Sequence, residues 1–436
     1  MGPRRSYRHE LLILAFVGVT ALAFLYPVNW QDVSRLGLTQ SLAQRGSLRI
    51  DSYADQTGDK ALFAGHYYSD KAPGISFAAL PAFEGLRALG AIRKPEQARG
   101  VWNRYGLLWL LRVATGGLLF LLAVCLVGRA TEKVAPGAGG AAAATFGLGT
   151  LVLPLAAVTF GHVGAGAAAF ASFLLAWRAG EDRHRVRVLS LAAGALAGIA
   201  ALLEYQVAII AALVLAYLIV KSRRPSLPIL FCLGVLPSLL TLALYNDRAF
   251  GSPLHLSYRY HATFTEQRRG FFGLGAPSLH GLWDTLFAGK GLVTSSPVVL
   301  VAGAGLYLLW RRGRRAEAAL CAAATLSFIV YNAGYFTPYG GTSPGPRFLV
   351  PALPFLALGL GHAYQRWPRV FALTALVSVA SMIHASATWN EQPSWTFVTI
   401  WSRWVGLPKE VGAALVCITA LVGLALAFTR RIREFP

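Results

Sequence analysis

The chain has 436 residues, of which 55% are hydrophobic and only 14% charged, and its mean hydropathy is +0.52. A soluble domain carries roughly 25% charged residues, so this balance excludes an ordinary soluble enzyme. The formal charge of +21 would suggest nucleic acid as partner in a soluble protein; here it gathers in short loops between apolar runs, and no nucleic-acid partner is expected.

The first apolar run, 11–28, follows Arg4, Arg5 and Arg8. No small-residue cleavage site precedes polar sequence, so it reads as a retained first helix and not a signal peptide. Further runs lie at 105–128, 138–155, 162–177, 188–203, 206–220, 227–245, 292–310, 317–333, 348–364, 370–387 and 411–429. Runs of this kind cross ~30 Å of hydrocarbon as helices. Period-two alternation is absent, which removes the barrel alternative. The expected fold class is an all-α integral membrane protein, one domain over 1–436 with about twelve transmembrane helices. The four cysteines (Cys125, Cys232, Cys321, Cys417) lie far apart inside these runs and show neither metal-ligand spacing nor a disulfide framework.

With the N-terminus inside, the segments 1–10, 129–137, 178–187, 221–226, 311–316, 365–369 and 430–436 face the cytoplasm. They hold 21 of the 40 Lys and Arg, including RHRVR, KSRR and RRGRR, as the positive-inside rule requires. A multi-pass protein of the inner (plasma) membrane with both termini cytoplasmic is expected. The stretch Ile75 to Ile92 would invert every later loop if it spanned. It carries Glu84 and Arg87 on one helical face, so it reads as an amphipathic helix on the external surface, with Arg93 and Lys94 placed to meet lipid phosphates. Three external segments are long enough to fold: 28–104, 246–291 and 388–410. The last holds Trp389, Trp395, Trp401 and Trp404, an interfacial composition.

The candidate chemistry collects on that external side. Asp32 follows the first span directly, where an acid can be a catalytic group or a helix cap. His66-Tyr67-Tyr68-Ser69-Asp70-Lys71 opens the surface helix, whose N-terminus favours an anion, and Lys71 suits phosphate or snorkelling. Glu204 lies at the apex of two short helices. A carboxyl at such depth points to function by default, with pairing to a basic residue as the structural alternative. His162 opens a span on the same side. Arg347, between Pro346 and Pro351, can clamp a phosphate oxygen or snorkel. The loop 246–291 adds His255, Tyr258, Arg259, His261, Glu266, Arg268 and Arg269, a mixture able to ligate metal or phosphate without a diagnostic spacing.

At Asp32 and at Tyr67-Tyr-Ser-Asp-Lys-Ala-Pro-Gly74, the sequence resembles the GT-C superfamily of polytopic membrane glycosyltransferases. The bacterial branch with lipid A aminoarabinose transferase and protein O-mannosyltransferase-like proteins is the most similar. Gly345-Pro-Arg347-Phe-Leu-Val-Pro351 and Glu204-Tyr205 look like features of that branch. The resemblance implies transfer of a sugar from a polyprenyl-phosphate donor to a lipid, glycan or protein acceptor on the external face, usually with inversion. It implies Asp32 as base, with Asp70 and Glu204 as further catalytic acids, and Lys71 as phosphate ligand. Arg347, His66, Tyr68, His162, Arg259 and Arg268 are the remaining substrate-binding candidates. Gln31 stands where several such families have a second acid, which argues against metal-assisted versions of the mechanism; a divalent metal stays open, and no nucleotide is expected. A lipid or glycan transporter and a non-catalytic polyprenyl-lipid-binding protein are the competing classes.

Overall fold

The computed structural model describes residues 3–92, 100–181, 184–222, 224–389 and 399–429. The expected positions of Arg93, Lys94, Arg183, Arg223, Trp395 and 430–436 lie outside these residues. Each of the twelve apolar segments contains helix, though not each as one continuous span. Seven helices among the described residues are long and apolar enough to cross a membrane: Tyr105–Val134, Gly161–Glu181, Val186–Leu203, Ser226–Phe250, Arg315–Gly334, Pro368–Thr388 and Lys409–Thr429. Arg347–Ala357 and Leu360–Arg366 form a pair bent by 55° that would make an eighth, and Tyr205–Lys221 and Val298–Arg311 are shorter apolar helices. Prolines 351 and 354 at the start of the bent pair remove backbone donors and loosen the helix there.

Small residues bring the central helices together. On Val186–Leu203, Gly194 touches the Phe231 backbone and Gly198 lies against Ser238, while Gly234 meets the Leu191 carbonyl. Close backbone approach of this kind replaces the hydrophobic drive that lipid cannot supply. Tyr105–Val134 contains one wider π-turn, Val113–Gly117, beginning directly after Arg112. Gly116 in that turn packs on the Val158 carbonyl, where a Cβ would sit 2.6 Å away.

Three expectations change. The first helix runs Pro3–Leu22, ending before 28. The run 138–155 is helical only over Gly139–Gly149, and the chain continues to 160 as fully buried turns. A short antiparallel hairpin that the sequence does not announce pairs β1 (Lys60–Phe63) with β2 (His66–Ser69). Its two-residue turn holds Ala64 and Gly65 at positive φ, the twist that tight hairpins need. The hairpin sits between α1, Trp30–Arg45, buried on all sides from Gln31 to Ser41, and α2, Gly74–Ala88. The latter is the surface helix read from the sequence: it buries Ile75, Ala79 and Phe83 and leaves Glu84 and Arg87 paired at 3.1 Å outside.

Ion pairs fasten the opposite end of the bundle. Glu181 accepts from Lys133 and Arg314, each at 2.9 Å, and both cations lie over the Trp177 ring. Glu317 takes a hydrogen bond from Tyr217 at 2.9 Å and pairs with Lys221 at 3.3 Å.

Candidate active site

The α1 helix begins with a reciprocal capping box. Asn29 accepts from the Asp32 backbone N–H, and Asp32 accepts from the Asn29 N–H at 2.9 Å. The Asp32 carboxylate is wholly buried and fully engaged. Arg112 donates from Nε at 3.1 Å and from Nη2 at 2.5 Å, and the Thr159 hydroxyl donates at 2.9 Å. Arg112 itself also donates to the carbonyls of Tyr26 and Pro27 at 2.8 and 2.9 Å. A bidentate, buried pair of this form joins α1 to the helix from Tyr105.

One turn further on, Arg35 is likewise buried. It donates to Glu204 Oε1 at 2.6 Å, to the Ala72 carbonyl at 3.2 Å and to Gln31 Oε1 at 3.3 Å. Glu204 follows Leu203 in extended conformation, and His162 Nδ1 lies 3.7 Å from its Oε1. Two glycines press on this turn. A Cβ on Gly74 would fall 2.5 Å from the Leu202 carbonyl, and one on Gly161 would strike Glu204 Oε1 and the Leu203 carbonyl.

The end of β2 delivers Asp70 and Lys71. Lys71 Nζ lies 2.6 Å from Asp70 Oδ2 and 3.2 Å from Asp59 Oδ1. Asp59 enters β1 from a turn in which Thr57 Oγ1 accepts the Asp59 N–H and donates to the Trp30 carbonyl, while Gly58 lies against the Trp30 ring. His261 Nε2 stands 3.1 Å from Asp70 Oδ2. Burial pushes the Asp70 carboxyl up, but the Lys71 charge and His261 outweigh it and hold it below the usual carboxylate range.

Asp59, Asp70 and His261 bring one donor atom each within 4.8 Å of one another, a spacing that invites a divalent cation. The donor chemistry does not fit one. Lys71 Nζ already stands against both carboxylates. His261 Nδ1 accepts the backbone N–H groups of Thr263 and Phe264, which leaves the proton on Nε2, facing Asp70. A metal would need that lone pair free.

Arg347 completes the site. Its guanidinium lies over the Phe160 ring at 5.0 Å and the Phe348 ring at 5.6 Å. Among the described residues it makes no hydrogen bond or ion pair, and its Nε is buried without a partner. Two adjoining cavities meet here. The smaller, about 70 Å³, is polar and faces Arg35, Lys71, Arg347, Asp59, Glu204 and His162. The larger, about 690 Å³, is bounded by the segment 24–29 and by Trp30, Phe160, Phe264 and Trp389. Gln31, Asp59, Phe264, Gly340, Gly341 and Arg347 belong to both.

Lys71, Glu204, His162 and Arg347 thus share one wall, with Asp70 directly behind Lys71. Asp32 faces neither cavity. His66 is half-exposed and pairs with Asp51 at 2.9 Å; Tyr68 packs on Phe250 at 5.4 Å in a separate core. Arg259 is exposed, and Arg268 donates to the His261 carbonyl from an exposed position. These four do not join the site. Sequence reasoning missed Arg35, Asp59 and the Arg112 clamp, whereas Tyr258, one of the candidates of the loop 246–291, does line the smaller cavity. Arg112 carried a usable signal, a lone arginine inside an apolar run; Asp59 carried none beyond turn chemistry.

Neither a protein-family model nor a curated protein matches the chain by sequence. Solved structures do match. ArnT from Cupriavidus metallidurans in the apo state is similar at a TM-score of 0.56 and 14% identity, over 96% of this chain and 75% of that one. The same protein bound to undecaprenyl phosphate gives 0.54 and 14% identity, over 96% and 76%. The archaeal oligosaccharyltransferase AglB from Archaeoglobus fulgidus, in complex with an inhibitory peptide and a dolichol-phosphate, gives 0.50 and 14% identity, over 98% of this chain and 56% of its own. At these identities the likeness is one of fold, and it extends over nearly the whole chain. The chain shares its fold with ArnT and AglB.

Proposed function

We propose that the protein is a membrane glycosyltransferase that moves a sugar from a polyprenyl-phosphate-linked donor to an acceptor hydroxyl. The observation that carries this reading is the Arg347 guanidinium, unpaired beside Lys71 and Arg35 on the wall of a polar cavity. Arg347 is half-buried with its Nε wholly so, and a cation drawn out of water without a partner is costly. A phosphate monoanion or dianion in that cavity would supply the partner. The leaving group of the reaction is such a phosphate, whose growing charge needs cations already in place. The similar structures hold polyprenyl phosphates, undecaprenyl phosphate in ArnT and dolichol-phosphate in AglB.

In this reading Lys71 and Arg347 bind the donor phosphate directly. Arg35 adds charge while it anchors Glu204, and Asp70 with His261 orients Lys71. Glu204 and His162 border the sugar. Inversion at the sugar carbon follows from a single displacement with no covalent intermediate. His162 stands at the cavity end of Gly161–Glu181, whose other end carries Glu181 with its partners Lys133 and Arg314. By the positive-inside rule the cavity end is periplasmic, both termini are cytoplasmic, and the membrane is the inner one.

The test uses purified full-length protein in detergent, with undecaprenyl phosphate as binding probe. A panel of undecaprenyl-phosphate-linked hexoses and pentoses serves as donors, and a lipid and glycan extract as acceptor source. Binding with donor consumption is expected. Lys71→Ala and Arg347→Ala each weaken the binding roughly 10–100-fold, the worth of a charge-assisted hydrogen bond. Binding without consumption of any donor identifies a lipid-binding protein instead. Unchanged affinity in both variants removes the phosphate site.

A further inference from the structure

The transfer reaction proposed above needs a base for the acceptor hydroxyl, and the sequence points first to Asp32. The geometry points elsewhere. The Asp32 carboxylate accepts from four donors and faces no cavity. Glu204 is held by Arg35 at 2.6 Å, and Asp70 lies wholly buried behind Lys71.

Asp59 differs from all three. Among the described residues it is the one carboxylate that borders both cavities. Its side chain forms a single ion pair, with Lys71 at 3.2 Å, and no hydrogen bond. It is buried, at 7% exposure, yet it stands where the two spaces meet.

We infer that Asp59 is the general base, with the donor phosphate in the small polar cavity and the acceptor in the larger aromatic one. The larger space, at about 690 Å³, falls within the roughly 300–1,000 Å³ of small-ligand sites, and its mix of aromatic walls and few polar groups is typical of them. It suits a sugar or a lipid headgroup bearing the hydroxyl. In the step itself, the acceptor oxygen bonds to the sugar C1 as its proton passes to the Asp59 carboxylate. The bond from C1 to the phosphate oxygen breaks, and its electron pair leaves with the polyprenyl phosphate, whose charge rests on Lys71 and Arg347. The Lys71 contact links the two events. Without donor, the ammonium pairs with Asp59; a phosphate that engages Lys71 draws that cation away and leaves the carboxylate free to take the acceptor's proton.

Asp59→Asn separates this role from a structural one. Donor transfer should fall about 10²–10⁴-fold, the usual worth of a positioned base. Affinity for undecaprenyl phosphate should be unchanged or tighter, because Lys71 loses a competing carboxylate. A loss of transfer below about tenfold overturns the assignment. So does a parallel loss of phosphate binding, which would make Asp59 a support for Lys71. If the Asn variant does not accumulate, Asp59→Glu replaces it: the charge beside Lys71 is kept but the carboxylate is displaced by one methylene. Intact binding with at least about tenfold slower transfer is then expected, and the parental rate would overturn the role. The two readings fail in different ways. A parent protein that neither binds undecaprenyl phosphate nor consumes a donor ends the glycosyltransferase reading. One that does both while Asp59→Asn matches it ends the role of Asp59 alone.

Discussion

Asp32→Asn is the substitution on which the two views of this site diverge most. The carboxylate receives Arg112 Nε and Nη2, Thr159 Oγ1 and the Asn29 N–H, and neither it nor Arg112 is appreciably exposed. An asparagine retains one carbonyl acceptor, but its amide then faces Arg112 or the Asn29 N–H, a donor against a donor. The guanidinium is left as an uncompensated buried charge, at a cost of about 3–5 kcal/mol. In a chain of this length that corresponds to an apparent melting midpoint lowered by roughly 3–5 °C. The assay is scanning fluorimetry in detergent at one fixed scan rate, since such unfolding is seldom reversible. Asp32→Leu combined with Arg112→Met removes both charges and should recover most of the loss. A melting midpoint equal to the parent's, together with lost transfer and intact phosphate binding, would refute this reasoning and return the base to Asp32.

Four further outcomes follow from the same geometry. His66→Ala and Arg259→Ala, both away from the cavities, should change transfer and stability little, within about 0.5 kcal/mol by melting; a large loss of transfer in either would extend the site. Transfer should survive EDTA and gain nothing from added manganese or magnesium, because Lys71 and the protonated His261 Nε2 fill the only three-donor cluster among the described residues. Loss on chelation, restored by metal, would reverse that conclusion. Asp70 is held below its ordinary range, so its stabilising contribution is complete above the unfolded carboxyl value near pH 4 and declines as pH falls below it. The melting midpoint should therefore be flat from about pH 8 to 5 and drop below about 4, with a shallower acid limb in Asp70→Asn. Finally, in a background lacking the native cysteines, a cysteine at Asp51 should react with an impermeant reagent from the periplasm and one at Arg314 only after permeabilisation. Labelling of position 314 from outside would invert the orientation.

The membrane architecture was legible because lipid imposes a length and composition on any crossing helix, and the twelve apolar segments all appear. The helix run 138–155 was overextended for the same reason. Its second half is apolar because it is buried among other helices, and periodicity cannot separate a buried turn from a span. Lys71 and Arg347 were legible as cations at the ends of apolar segments, where few charges occur. The roles of Asp32 and Asp59 were not. Asp32 meets Arg112 across 80 residues and Thr159 across 127, and no local pattern encodes that pairing. Asp59 sits in an ordinary-looking Thr-Gly-Asp-Lys turn, and only the hairpin, absent from the sequence reading, carries it to the junction of the cavities.

The turn from Leu202 to Glu204 is gripped from two sides by glycine, Gly74 on the surface helix and Gly161 at the head of a core helix. The acid's location is therefore set by main-chain contacts and owes little to rotamer choice. A methyl group at either position would push the turn outward and carry Glu204 away from Arg35, so the site would be damaged by residues that never touch substrate. For anyone seeking to reshape this site, that draws a boundary. The aromatic walls and Thr342 can be varied as side chains, whereas the mount beneath Glu204 is backbone and tolerates no such traffic.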